Sequence, residues 1–149
     1  MFTADTKPAP ARRRVRLHPT VFAPRIARRM LHKLGDPADV PQRLVDDAAL
    51  VVSELVADSI RQCRHDVEVD IQLANQQIVV RVFDAQAKAP LFSDRTGKVP
   101  ARSSATVQHL AASWGCSRYQ YGWEVWAVLR SASAEPLHDT EVGIRCSEV

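Results

Sequence analysis

The sequence contains few cysteines, and their positions exclude the usual uses of this residue. Only three occur in 149 residues, and Cys63, Cys116 and Cys146 lie too far apart for a CxxC metal or redox motif. An odd number of cysteines does not make a disulfide framework either. We therefore interpret all three as reduced thiols and expect no metal site from them.

Long apolar runs are missing as well. The longest, at residues 48–52 and 125–129, are far shorter than the ~20 residues that a membrane-spanning helix needs. Residues 1–10 contain no apolar signal-peptide segment. We expect a cytoplasmic protein with no membrane segment.

What the chain does contain fits one globular domain. It is 46% apolar and 25% charged over 149 residues, the usual size and composition of a domain with a single core. Residues 1–11 carry Pro8 and Pro10 and little that is apolar, and residues 131–149 are polar and weakly patterned. We expect a disordered lead-in at 1–11, a folded domain at 12–130 and a tail at 131–149.

Basic residues are concentrated in the first part of the chain. Up to Lys33, nine lysines and arginines accompany one aspartate, a balance of +8; the remainder holds 11 basic and 16 acidic residues, a balance of −5, and the two sum to the formal +3. Such a segment suits nucleic acid or an acidic protein surface. Because its arginines are not interleaved with aromatic residues, we favour solvated outer faces of a strand and a helix over a nucleic-acid site.

Periodicity in the first half of the chain predicts one strand and two helices. Alternation predicts the strand at 13–17. Residues 21–34 carry a four-residue apolar repeat and are followed by Gly35, a C-cap signal, which together predict a helix. A longer helix is predicted at 42–63. The repeat of the first helix consists of Phe22, Ile26, Met30 and Leu34.

In the second half a period of two predicts a hairpin, with strands at 67–73 and 78–83 around an Asn75–Gln76 turn. Residues 85–103 show no sustained period and are predicted to form a long surface loop. A short helix at 104–113, with Ser103 or Ser104 as N-cap, precedes a second hairpin of strands 114–121 and 123–129 around Gly122. This order predicts an α+β fold: a two-layer α/β sandwich whose mostly antiparallel sheet is covered on one face by helices.

The predicted helix at 42–63 carries a polar stripe beside its apolar one. Asp47, Glu54, Asp58 and Arg61 recur at spacings of seven, four and three. Glu54 and, one turn later, Asp58 can hold an attacking nucleophile and a hard divalent cation side by side. A solvated helix face explains the same stripe without any chemistry, and the helix alone leaves both interpretations open.

Four segments in a fixed order resemble a known family. They read VVSELVADSIRQC at 51–63, VRVFDAQAKAP at 80–90, HLAASWG at 109–115 and YGWEVWAVL at 121–129. With these motifs, residues 13–130 resemble the histidine-kinase-type ATPase domain of bacterial anti-sigma factors and their serine-kinase relatives. The resemblance implies the fold of that ATPase domain, and ATP and Mg²⁺ as its cofactors.

The resemblance also implies a role for each matching residue. Glu54 matches the glutamate that acts as general base, and Asp58 matches an asparagine that ligates magnesium. Asp84 matches the aspartate that accepts a hydrogen bond from the adenine amino group; its alternative role is that of a strand-end carboxylate capping the next turn. Arg102 matches the lid arginine, and Ser103 and Ser104 are expected beside it at a helix N-terminus, where a phosphate binds favourably.

The lid segment departs from the family pattern. The family's glycines align with Pro100, Ala101 and Ser103, although glycines at such positions let backbone N–H groups approach phosphates. Pro100 supplies no N–H at all. At Asp58 a carboxylate replaces the family's amide, and it repels a triphosphate unless Mg²⁺ neutralises it. We therefore expect a weakened nucleotide site.

Two functions follow from the resemblance. The first is an anti-sigma-like regulatory protein that binds a sigma factor or an anti-anti-sigma partner, and the altered lid favours it. The second is an active ATP-dependent serine/threonine protein kinase that phosphorylates an anti-anti-sigma partner, favoured by the retention of Glu54, Asp84 and Arg102. Domains of this family are often homodimers, so a homodimer stays open.

Overall fold

The computed structural model describes residues 10–35, 40–62, 65–84, 101–119 and 122–132. The predicted lead-in and tail and nearly all of the predicted loop lie outside these residues, apart from a few positions at their edges. Within the described residues, helices and strands follow one another as β1 (Ala11–Leu17), α1 (Ala23–Gly35), α2 (Gln42–Gln62), β2 (Val67–Ala74), β3 (Gln77–Asp84), α3 (Ala101–Leu110), β4 (Ser113–Tyr119) and β5 (Gly122–Arg130).

The five strands form one antiparallel sheet in the order β1-β2-β3-β5-β4. α1 packs against β1 and β2, α2 crosses β2, β3 and β5, and α3 packs against α2 and β4. The helix-facing residues of β2 are all buried, while the residues between them are half-buried. The predicted α+β sandwich, with an antiparallel sheet covered on one face by helices, is confirmed.

The turn between β2 and β3 has a strained backbone. Asn75 and Gln76 have φ values of 53° and 57°, the left-handed conformation that a type I′ hairpin turn requires at both central positions. Asparagine accepts this conformation readily, whereas glutamine does so less easily. The Ser131 hydroxyl donates a hydrogen bond of 2.7 Å to Gln76 Oε1, which helps to hold the turn. The predicted hairpin is confirmed.

The buried face of α1 differs from the one that its large apolar residues indicate. Ala23, Ala27 and Leu31 are almost fully buried, whereas Phe22 is 62% exposed and Ile26 is 47% exposed. The four-residue repeat therefore predicted the helix correctly, but half of the repeat lies on the outside. Small alanine side chains face the interior because α1 lies close to the sheet and to α2.

Gly35 is not the C-cap that its position suggested. It is the last residue of α1, and its backbone is not left-handed. A Cβ added there would lie 2.7 and 2.8 Å from the two Cγ atoms of Val45 in α2, closer than real Cβ atoms approach. Glycine is needed here for the close approach of α1 and α2 rather than for a special φ.

The third helix begins and ends earlier than predicted. α3 begins at Ala101, so Ser103 and Ser104 lie in its first turn and neither is the N-cap. In the sequence, the residue before Ala101 is a proline, a residue that is frequent where helices begin. In the second hairpin, Gly122 begins β5 and pairs with Tyr119, so it is not the turn residue.

Candidate functional site

Glu54 and Asp58 lie one turn apart on α2, as predicted, but in different surroundings. Glu54 is half-buried, whereas Asp58 is only 6% exposed. Arg61, one turn further, donates from Nη1 to Asp58 Oδ1 at 2.9 Å, while about two thirds of its own side chain stays exposed. Asp58 has further interactions as well. The interpretation of this stripe as a solvated face therefore fails for Asp58.

Asp84 ends β3 on the side of the sheet that faces the helices. It follows Val80 and Val82 at alternate positions, and both of these belong to the main core, so its side chain points to the same side. Asp84 is 4% exposed and lies opposite Trp123 of β5. A buried carboxylate at this position has the chemistry to accept a hydrogen bond from an amino group, which fits the adenine of a nucleotide.

Arg102, Ser103 and Ser104 occupy the first turn of α3, and α3 packs against α2. The first turn of a helix presents N–H groups without intrahelical partners and the positive end of the helix dipole. α2 therefore carries two of the predicted site residues and contacts both other elements, β3 and α3, that carry the rest. The fold brings the elements of the predicted site to one region around α2.

A dedicated Mg²⁺ site fits less well than an adenine site. Among the described residues no three His, Cys, Asp or Glu side chains come together in a way that could hold a metal ion. The Asp58 carboxylate has the right chemistry for a hard cation, but Arg61 already binds it. That Asp58 ligates magnesium stays a prediction.

The outer side of α1 forms a second candidate surface, which we call the α1 surface. Its apolar members are Val21, Phe22 and Ile26, and Val21 is 88% exposed. α1 contains no acidic residue. Its basic members form no ion pair with any residue that the structure describes, and all four are exposed: Arg25, Arg28, Arg29 and Lys33. The sequence analysis identified the basic members but did not predict that Phe22 and Ile26 are exposed. A second apolar stripe, through Ala23 and Ala27, was the feature of the sequence that indicates the other buried face.

The opposite face of the sheet carries charges that compensate one another. Arg12 donates from Nε and Nη2 to both carboxylate oxygens of Asp70, at 3.0 and 2.6 Å. The hydrogen bond to Asp70 and the attraction of its charge raise the pKa of Arg12. Arg81 lies 3.9 Å from Asp70 and 3.3 Å from Glu124. Arg14 and Glu68 form an adjacent ion pair. We call these ion pairs together the ion-pair ladder, and their residues line a cavity of about 240 Å³.

Comparison with known proteins places the fold. No protein-family model and no curated protein sequence matches the chain. In structure the chain is similar to a crystal structure of the RsbU and RsbW domains of Rv1364c from Mycobacterium tuberculosis, with a TM-score of 0.61 and 15% sequence identity over 80% of this chain. The match covers 31% of the other chain, so this chain spans less than a third of its length.

A likeness at 15% identity is informative about the fold alone. It confirms the predicted sandwich as a histidine-kinase-like ATPase fold. Among the described residues no helix is long and apolar enough to cross a membrane.

Proposed function

We propose that this chain is an anti-sigma-like regulatory protein that acts by binding another protein, a sigma factor or an anti-anti-sigma partner, through its α1 surface. Its nucleotide site is weakened in this proposal. The fold shared with a chain that contains an RsbW domain supports the general class. The α1 surface is the observation that carries the proposal.

The composition of the α1 surface is that of a docking site. Phe22, immediately before α1, and Ile26, four residues further on, expose large apolar side chains, and exposed apolar patches with a polar rim are typical of protein interfaces. The rim is basic and has no compensating acidic residue on α1. Long-range attraction between this rim and an acidic partner raises the association rate, whereas the apolar anchors slow dissociation.

The surroundings of the nucleotide site support only weak ATP binding. Asp84 is a buried carboxylate with the chemistry that adenine recognition needs, but two of the three altered lid positions, Ala101 and Ser103, belong to the first turn of α3. At these positions the family's glycines would allow a different backbone path around the phosphates. In this proposal ATP is a weak effector, and no step of partner binding depends on it.

The test is capture of the partner from the native host with the full chain, followed by binding kinetics. Arg25→Glu with Arg29→Glu should lower the association rate about tenfold or more and should remove most of its salt dependence. Phe22→Ala should act mainly on dissociation. The matched control is Arg13→Glu with Arg16→Glu on β1, which changes the net charge equally and should have a much smaller effect.

Two results would contradict the proposal. Equal effects of the α1 and β1 charge reversals would show that net charge alone is responsible. Unchanged kinetics in both Phe22→Ala and the α1 reversal would leave this helix with a structural role. If the captured protein is a second copy of the chain, sedimentation will show a dimer that the Phe22 variant weakens, and the α1 surface is then a homodimer interface.

The second candidate function is a serine/threonine protein kinase. The half-buried Glu54 on α2 favours it, because in this proposal its carboxylate accepts the proton of a substrate hydroxyl while Asp84 recognises adenine. Bound ATP would supply the phosphoryl group. Transfer of labelled phosphate from ATP to the captured partner, abolished in Glu54→Gln, is expected for a kinase; no transfer with a tightly bound partner supports the binding protein alone.

A further inference from the structure

A second group of buried apolar side chains lies on the face of the sheet that is turned away from the helices. Its members are Val79 of β3 with Trp126 and Val128 of β5, which are 4%, 8% and 2% exposed. Successive side chains of a strand point to opposite faces of the sheet. The residues next to these three in the chain, such as Val80 and Val125, belong to the main core under the helices. The three residues therefore form a separate cluster, which we call the back cluster.

Neighbours within the sheet do not explain how deeply the back cluster is buried. The indole of Trp126 lies against β4, because a Cβ added to Gly115 would be 2.8 Å from its Cζ2 atom. Such a neighbour flanks a side chain within its own layer, whereas covering it from above requires a second layer. The described helices form a layer on the other face only. Because tryptophan is large and seldom so fully buried, its 8% exposure indicates that another part of this chain lies over it.

Three segments of the chain outside the described residues, 1–9, 85–100 and 133–149, are long enough to be that part. The first precedes β1, which lies three strand spacings, about 14 Å, from β5 in the sheet. The second follows Asp84, at the opposite end of β3 from Val79, and leads into α3, which packs against α2 on the helical face. Neither of these two segments starts beside the back cluster.

Residues 133–149 leave the sheet next to the back cluster. They follow β5, which carries two of its three members and ends at Arg130. The Ser131 N–H then donates to the Gln76 carbonyl at 3.0 Å, so the exit of the chain is held at this end of the sheet. The 17 residues that remain can extend over at most about 60 Å, several times the roughly 14 Å that separate Arg130 from Trp126 along the strand.

We propose that residues 133–149 dock on the back cluster and form a second layer on this face of the sheet. Val142 and Ile144 are two positions apart, so they point to the same side of an extended segment, and Leu137 precedes them. These side chains supply the apolar contact that covers the back cluster. The segment thereby shields an apolar surface that would otherwise attract a partner or a second copy of the chain. The α1 surface and the nucleotide site lie elsewhere, so failure of this proposal leaves the proposed function untouched.

The first test measures hydroxyl-radical oxidation of the full wild-type chain by mass spectrometry. Oxidation follows the solvent exposure of a side chain, so Trp126 should react several times more slowly than the half-buried Trp123. Equal reactivity of the two tryptophans would overturn the proposal, since the back cluster would then be uncovered in solution. Met30, which is 7% exposed in the main core, reports on the integrity of the fold in this experiment and the next.

The second test places charges at the apolar positions of the segment. Val142→Asp with Ile144→Asp should raise the oxidation of Trp126 about threefold or more while the main core stays protected, because only the covering segment is released. The matched control is Ser133→Asp with Ser147→Asp, which adds the same charge at polar positions and should leave Trp126 protected. An unchanged Trp126 in the apolar variant, or equal effects of the two variants, would overturn the proposal.

Two further variants test the other segments. Phe2→Asp charges the segment before β1, and Leu91→Asp with Phe92→Asp charges the segment after β3. Neither should change the oxidation of Trp126. Exposure of Trp126 in either variant would overturn the assignment of the covering layer to residues 133–149.

Photo-crosslinking needs no added charge and separates contacts within one chain from contacts between two. The photoreactive amino acid p-benzoylphenylalanine at position 144 of the full chain should attach to β3 or β5 of the same molecule. Attachment to the helices instead, or only to a second copy, would overturn the proposal. This measurement also decides the case in which the charged variant opens the main core together with the back cluster.

Discussion

Small side chains decide how closely α1 and α2 approach each other. Ala23 and Ala27 are buried in α1, and Gly35 at its end faces the buried Val45 of α2. Protein interiors are packed at crystal-like density, so an added methyl group has no space to occupy unless its neighbours move. The closeness of the two helices therefore depends on positions where a single carbon atom matters.

We expect Gly35→Ala to destabilise the chain by about 1–3 kcal/mol, the usual cost of overpacking. Alanine improves helix propensity by ~1 kcal/mol in a helix interior and by less at a helix end, so the steric effect should dominate. The reason is that Val45 is a short, β-branched and buried side chain, so it has few alternative positions. Urea unfolding at a constant m value is the measurement.

Val45→Ala provides the internal control for this prediction. It removes both Cγ atoms that the new Cβ would meet. The double variant should therefore be more stable than the sum of the two single losses predicts, by about 1 kcal/mol. Strictly additive losses would show that the backbone at Gly35, and not the contact with Val45, sets the stability.

The site residues show what a sequence motif can and cannot predict. The motif located Glu54, Asp58 and Asp84, and the structure places them on α2 and on the helix-facing side of β3. It did not predict that Asp58 is almost fully buried or that Arg61 binds it. Burial depends on which other elements pack over a residue, and a local pattern contains no information about them.

Local sequence patterns predicted the helices and strands well where the most apolar face of the element is also the face that is buried. The β2–β3 hairpin has a strict period of two and an asparagine in its turn, and both of its strands were predicted to within two residues. The buried face of α1 was harder, because Phe22 and Ile26 are more hydrophobic than Ala23 and Ala27. Which stripe becomes the interior is decided by how closely α1 must lie to α2 and the sheet.

The ion-pair ladder on the open face of the sheet offers a test of how burial changes the value of a charge. Arg81 is 21% exposed and lies between Asp70 and Glu124, whereas the side chain of Arg14 is 60% exposed and pairs with Glu68. We expect Arg81→Met to cost about 1–3 kcal/mol, because two mostly buried carboxylates lose a cation. Arg14→Met should cost less than about 1 kcal/mol.

Urea unfolding at low and high salt distinguishes the two arginines. Salt screens exposed pairs much more than buried ones, so 1 M NaCl, at a Debye length of about 3 Å, should abolish the effect of Arg14→Met and leave most of the effect of Arg81→Met. Equal losses for the two variants at both salt concentrations would mean that burial does not set the strength of these ion pairs.

Across the whole molecule, the basic first part of the chain divides into two chemically different halves. On β1, Arg12 and Arg14 are compensated by acidic residues of β2. On α1 the four basic residues have no ion-pair partner among the described residues, so a cluster of unbalanced charge lies on the outer side of this helix. Net charge alone gave no indication of this division, because it depends on which strands pair in the sheet.

The fold as a whole was predictable from the periodicity and order of its elements, and the four motifs of the resemblance lie on elements that meet, since α2 contacts those that bear the others. The affinity of the nucleotide site for ATP depends on the residues that depart from the family's pattern. With the lid glycines replaced and Arg61 beside Asp58, we expect ATP to bind with a dissociation constant weaker than ~10 μM, corresponding to less than about 7 kcal/mol of binding free energy.

Thermal unfolding with ATP, with and without Mg²⁺, measures this affinity through linkage. At an ATP concentration ten times the dissociation constant the folded state gains about 1.4 kcal/mol, which raises the melting temperature by roughly 3–6 °C for a chain of this size. Asp84→Asn should make the shifts caused by ATP and GTP equal, because an amide that turns its NH₂ toward the ring presents a donor where adenine needs an acceptor. A low-micromolar or tighter dissociation constant by calorimetry would contradict the weakened site. Unchanged ATP selectivity in Asp84→Asn would mean that this buried carboxylate serves the fold and not the ligand.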